Sequence, residues 1–153
     1  MIATTEKAEA LVKELIVINN DRCEGYKTAA QETKDGDLKP LFDKYSSQSA
    51  QFASELKRYI SFEEAPEPDE TKLSGKVYRA WMEVKAAVTA NDRKAILSSC
   101  EFGEDVALKT YKDTLEDDDA KEIPGELHSI ITNQKSEVQA AHNYVRSLRD
   151  NAH

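Results

Sequence analysis

Turn-forming residues are scarce in this chain: five glycines and four prolines serve 153 residues. β-Sandwiches and barrels need such residues at every hairpin, so their scarcity excludes them. Only two cysteines are present, Cys23 and Cys100, and no Cys or His residues are closely paired. That removes a disulfide framework and a zinc site, and both thiols are expected to be reduced. The longest apolar run, Leu15 to Ile18, is far short of the roughly 20 residues of a membrane-spanning helix. No charged-then-apolar leader opens the chain, so a cytoplasmic protein without a membrane partner is expected. Lys and Arg are scattered singly against a formal net charge of -8, so no nucleic-acid partner is expected either. Gly-x-Ser-x-Gly elbows and Gly-rich phosphate loops are also missing, which removes the usual signatures of hydrolases and nucleotide binders.

What remains is the composition of long helices, rich in Ala, Leu, Glu, Lys and Gln. Apolar residues recur at three- and four-residue steps. In the first helix these are Ala8, Leu11, Val12, Leu15, Ile18, Cys23, Tyr26, Ala29 and Ala30. The spacing predicts helices over about 4–34, 37–61, 92–116 and 123–150, in a single domain spanning 1–153. Gly36 is expected to end the first helix with a positive φ, and Asp37 to cap the second. Residues 62–71, with Pro66, Pro68 and a run of acidic side chains, read as a solvated linker. After it a short crossover helix is expected over about 72–89 on Leu73, Val77, Trp81, Val84 and Val88. The order helix, short turn, helix, long crossover, helix, short turn, helix is that of ferritin-like bundles. Cys23-Glu24-Gly25 is echoed by Cys100-Glu101-Phe102-Gly103, as if the chain were two related hairpins. Gly25 and Gly103 fall in mid-helix, where a close helix approach would account for them.

Several runs carry a family resemblance: Cys23-Glu24-Gly25-Tyr26 with Ala29-Ala30, Trp81-Met82 with Lys85-Ala86-Ala87, Cys100-Glu101-Phe102-Gly103-Glu104-Asp105, and Glu137-Val138-Gln139-Ala140-Ala141-His142. The chain resembles the bacterial ferritin-like four-helix-bundle proteins catalogued as a domain of unknown function. The resemblance implies an all-α four-helix bundle with a long crossover. Its ferritin-like placement suggests metal or redox chemistry, and stress or storage physiology, by analogy alone.

Di-iron bundles of that kind need Glu-x-x-His on two helices, and this chain has none. Turning about 100° per residue, the polar side chains that fall within the apolar stripes are Asn19, Arg22, Cys23, Ser49, Glu104 and His142, with Tyr26 and Tyr111 nearby and Glu55 at an edge. Glu24 and Asp105 point away. Glu104 and His142, completed by Cys23 or Glu55, form a candidate site for one divalent metal such as iron or manganese. The alternative is a satisfied buried pair, with Glu104 accepting from Arg22, His142 or a tyrosine, and no cofactor at all. The cysteines read as small core residues before redox sensors, and Asp117-Asp118-Asp119 as a solvated turn before a cation site. The function expected is a non-enzymatic structural or interaction protein, with a homodimer through the acidic linker and the Trp81 helix as its candidate assembly; Trp81 could equally cover the end of the bundle. The alternative is a metal-binding ferritin-like protein with a reduced site.

Overall fold

A computed structural model describes residues 5–60, 86 and 92–152. Among these the regular structure is entirely helical: α1 (Glu6–Glu32), α2 (Leu38–Lys57), α3 (Arg93–Glu116), a 3-10 turn (Asp118–Glu122) and α4 (Gly125–Asp150). The expected linker and Trp81 crossover helix lie outside the described residues, apart from Ala86, which is helical. No described helix is long and apolar enough to cross a membrane.

Thr5 caps α1 by accepting from the Ala8 amide at 3.2 Å, and Glu6 and Glu9 place negative charge at the positive end of the helix dipole. The end of α1 differs from the sequence expectation. Thr33 turns extended (φ -67, ψ 143) and stops the helix, while Gly36 has no left-handed φ. Asp37 is already helical (φ -83, ψ -27) and makes no side-chain cap. A residue in that conformation cannot turn its carboxylate back onto the first amides, so the Asp35 carbonyl receives the Leu38 and Lys39 N–H groups instead, at 3.1 and 3.2 Å. Asp92 does cap α3, accepting from Ala95 at 3.1 Å with an extended backbone. α2 stops at Lys57, four residues before the expected end, in a turn that carries Tyr59 and Ile60.

Cross-helix contacts fix the directions. Arg22 meets Ser49, Cys23 meets Ser46 and Ala30 meets Lys39, so α1 and α2 are antiparallel. Arg22 with Glu104 and Asn19 with Tyr111 set α1 antiparallel to α3. Tyr111 with Gln134, Asp105 with His142 and Glu101 with Arg149 do the same for α3 and α4. Leu56 shares one apolar cluster with Leu127, and Phe42 another with Val145, so α2 and α4 are also antiparallel. The helices therefore run up, down, down, up. α2 and α3 are parallel, and the chain between them must re-enter at the opposite end of the bundle.

The core falls into two apolar clusters. One gathers Val12, Leu15, Phe52, Leu56, Tyr111, Leu127 and Ile131, and the other Tyr26, Phe42, Ile96, Leu97, Cys100 and Val145. Between them, along the chain of each of α1, α2 and α3, lie buried polar positions: Asn19 and Arg22, Ser49, and Glu104.

Candidate functional site

α1 is buried all round at mid-length: Ile18, Asn19, Asn20, Asp21 and Arg22 are each at most 5% exposed. Arg22 is 1% exposed and Glu104 0%, facing each other from α1 and α3. The guanidinium binds both carboxylate oxygens, Nε to Oε1 and Nη2 to Oε2 at 3.1 Å, and Nη1 donates to Ser49 Oγ on α2 at 2.7 Å. Its Cζ lies over the rings of Tyr26 and Tyr45, 5.4 Å from each ring centre. One planar cation thus joins three helices. A fork of N–H donors suits this role, whereas an ammonium would not reach two carboxylate oxygens and a hydroxyl in one plane.

Electrostatics follow from burial. Loss of water pulls the Arg22 pKa down, and the Glu104 carboxylate in contact with it outweighs that and raises it above the ordinary arginine value. Neighbouring acids feel burial first and the Glu104 charge second, so the Tyr26 hydroxyl and Cys100 thiol are pushed well up, and Tyr45 to about 12. Cys100 is therefore a neutral thiol at neutral pH, in keeping with a small core residue.

Next to the pair runs a hydrogen-bond chain through all four helices. Asn19 Nδ2 donates to the Leu15 carbonyl and to the Tyr111 hydroxyl, both at 2.8 Å. Tyr111 donates to Gln134 Oε1 at 2.7 Å, and Gln134 Nε2 to the Phe52 carbonyl at 3.3 Å. Burial pushes the Tyr111 hydroxyl up as well, so it remains a donor.

The four residues expected to share a metal are not brought together. Glu104 is bonded to Arg22, the alternative foreseen for it. His142 on α4 is 2.7 Å from Asp105 and 3.7 Å from Glu101 through Nε2, and Nδ1 is 3.2 Å from Asn143 Oδ1. Cys23 is half-buried against Ser46 on α2. Glu55 lines an open groove between α2 and α4 with Phe52 and His128. Among the described residues no three His, Cys, Asp or Glu side chains gather so as to hold a metal ion.

Of the inward polar set, Asn19, Arg22, Ser49, Glu104 and His142 are buried as expected. Gln134 and Glu101, both buried, are additions. Gln134 fills the slot between Ile131 and Val138 in the stripe of α4, a position its spacing alone marks as inward. Asp105, read as pointing away, is exposed yet reaches His142 along the α3–α4 seam, where Arg149 also binds Glu101. Gly25 and Gly103 are both buried in mid-helix.

A family model described as Domain of unknown function (DUF2383) matches residues 7–118. The matched span holds Arg22, Ser49, Glu104 and Tyr111 and ends before α4 begins. A search of curated proteins finds no match to this chain.

Proposed function

We propose that this chain, which belongs to the DUF2383 domain family, works as a non-enzymatic helical bundle acting through contacts with other protein chains. The up, down, down, up order and the long link from α2 to α3 support a ferritin-like placement of that bundle. The observation that carries the proposal is the Arg22–Glu104–Ser49 contact. The most deeply buried carboxylate among the described residues, that of Glu104, is bonded through both oxygens to a cation the protein itself supplies, so its charge is neutralised from within. A carboxylate paired in that way with a permanent cation has its charge already compensated and draws a metal ion or a proton less strongly, and its partner bonds to groups on two other helices.

Elemental analysis tests this. The protein is purified without chelator or affinity tag after growth with iron, manganese and zinc, alongside E104Q and H142A. The expected outcome is no stoichiometric metal in any of the three. Stoichiometric metal in the wild type that is lost in E104Q or H142A would overturn the proposal in favour of a metal-binding bundle.

A further inference from the structure

The polar contacts between helices are shared unequally among the four seams. Arg22 with Ser49 and Cys23 with Ser46 lie inside the α1–α2 hairpin. Tyr111 with Gln134, His142 with Asp105 and Arg149 with Glu101 lie inside the α3–α4 hairpin. Arg22 with Glu104 and Asn19 with Tyr111 join the two hairpins along α1 and α3. On the opposite side, among the described residues, one buried hydrogen bond spans α2 and α4, from Gln134 Nε2 to the Phe52 carbonyl at 3.3 Å. Two pairs at the bundle ends, Arg93 with Asp37 and Tyr59 with Glu126, also pass between the hairpins, but each includes a solvent-exposed side chain and adds little.

The α2–α4 seam is also the looser one. Its backbones approach within 8 Å, Cα to Cα, only locally. Two hollows, of about 600 and 500 Å³, open along it and both reach Glu137, with Gln134 and Phe52 in the wall of the larger.

We propose that the bundle works as a clamshell, in which the α1–α2 and α3–α4 hairpins turn against each other on the α1–α3 contacts and part along α2 and α4, with Gln134 as the latch. This goes beyond the contact-protein function and does not depend on it.

The cost of each alternative carries the proposal. Parting α1 from α3 would strip a buried guanidinium from a buried carboxylate and leave both charges uncompensated. Parting α3 from α4 would break Tyr111–Gln134 and both contacts of the His142–Arg149 edge. Parting α2 from α4 breaks one buried neutral hydrogen bond. Gln134 keeps its bond to Tyr111, and its amide gains water. What holds the seam closed is apolar contact towards the two ends, Leu56 with Leu127 in one cluster and Phe42 with Val145 in the other. Exposing these side chains makes the open form a minor population, reached without unfolding the helices.

Cys100 reports on this motion. It is 0% exposed, in the cluster that Phe42 and Val145 close from α2 and α4, and burial keeps its thiol neutral and unreactive while the seam is shut. The test uses the full chain with C23S, so that Cys100 is the sole thiol. It is treated with excess thiol reagent at rising urea while circular dichroism follows global unfolding. Cys100 is expected to react through an opening whose urea dependence is clearly weaker than that of global unfolding. Q134A in this background is expected to raise the rate in native buffer about fivefold or more, the weight of one buried hydrogen bond. T5A, which removes the α1 cap and lowers global stability, is expected to leave that rate unchanged. Labelling that follows the full urea slope of global unfolding overturns the proposal. So does a rate that Q134A leaves unchanged, or one that T5A raises as much as Q134A does.

Discussion

A charge pair in a protein interior is held there by its geometry more than by its energy. Bringing a guanidinium and a carboxylate out of water costs several kcal/mol each, and contact between them returns that only when every donor and acceptor is used. Arg22 and Glu104 meet this condition through both carboxylate oxygens, Ser49 and two tyrosine rings. Removing one partner should therefore be far worse than removing both. E104A is expected to lose about 3–5 kcal/mol of unfolding free energy, a large share of the 5–15 kcal/mol typical of a domain. Arg22→Met with Glu104→Leu should instead be close to wild type or more stable. Urea denaturation of the three proteins checks this, and a double variant that loses as much stability as E104A or more would refute it. Spacing along α1 and α3 marks both residues as inward. Which of Arg22, His142 or a tyrosine Glu104 would choose was not legible, because Arg22 and His142 lie on different helices and the choice depends on how those helices slide against α3.

At the scale of single helices, residue type predicts where a helix begins less well than backbone conformation does. Asp37 and Asp92 both precede a helix, and both look like caps in the sequence. Asp92 is extended and its carboxylate accepts from Ala95; Asp37 already has helical dihedral angles and its carboxylate pairs with Arg93 at 2.7 and 2.9 Å. Asp92→Ala should accordingly cost about 1 kcal/mol, the usual loss of a cap. Asp37→Ala should cost no more than about 0.5 kcal/mol, since an exposed ion pair contributes little. Thermal unfolding in 1 M salt separates the two, because salt erodes the Asp37–Arg93 contribution and leaves the cap. Equal losses in high salt would mean that Asp37 does cap α2. The interiors of the four described helices were legible within a few residues, since a 3.6-residue stripe over five or more turns leaves little ambiguity. The end of α2 was not, because Tyr59 and Ile60 continue the apolar spacing through a turn that is no longer α-helical.

For the whole molecule, the buried acids set a limit on the alkaline side. Tyr26, Tyr111 and Cys100 are pushed up by burial and then by other influences, and Tyr45 to about 12. In the unfolded chain the same groups lose their protons at ordinary values of 10.0 for tyrosine and 9.0 for cysteine. Above those values the unfolded state holds fewer protons than the folded one, so stability falls as pH rises. The contribution is complete below about pH 9 and is lost progressively towards pH 12 and beyond. Each group released only in the unfolded chain adds a slope approaching about 1.4 kcal/mol per pH unit. Denaturation midpoints should hold level between pH 7 and 9 as far as these groups are concerned, then drop steeply. Midpoints unchanged at pH 11.5 would show that the tyrosines are not sealed in the core.

The sequence by itself determined that the chain is helical, where its four long helices lie, and that Asn19, Arg22, Ser49, Glu104 and His142 turn inward. These are local properties: a residue's direction follows from its neighbours along one helix, 100° at a time. Tertiary structure alone decided that Glu104 binds Arg22 while His142 turns to Asp105 and Glu101. It also decided that Gln134 completes a hydrogen-bond chain from α1 to α2. Such pairings depend on which helices are neighbours and how far each slides along the next. That register comes from packing the whole apolar surface at once, and no stretch of the chain carries it alone.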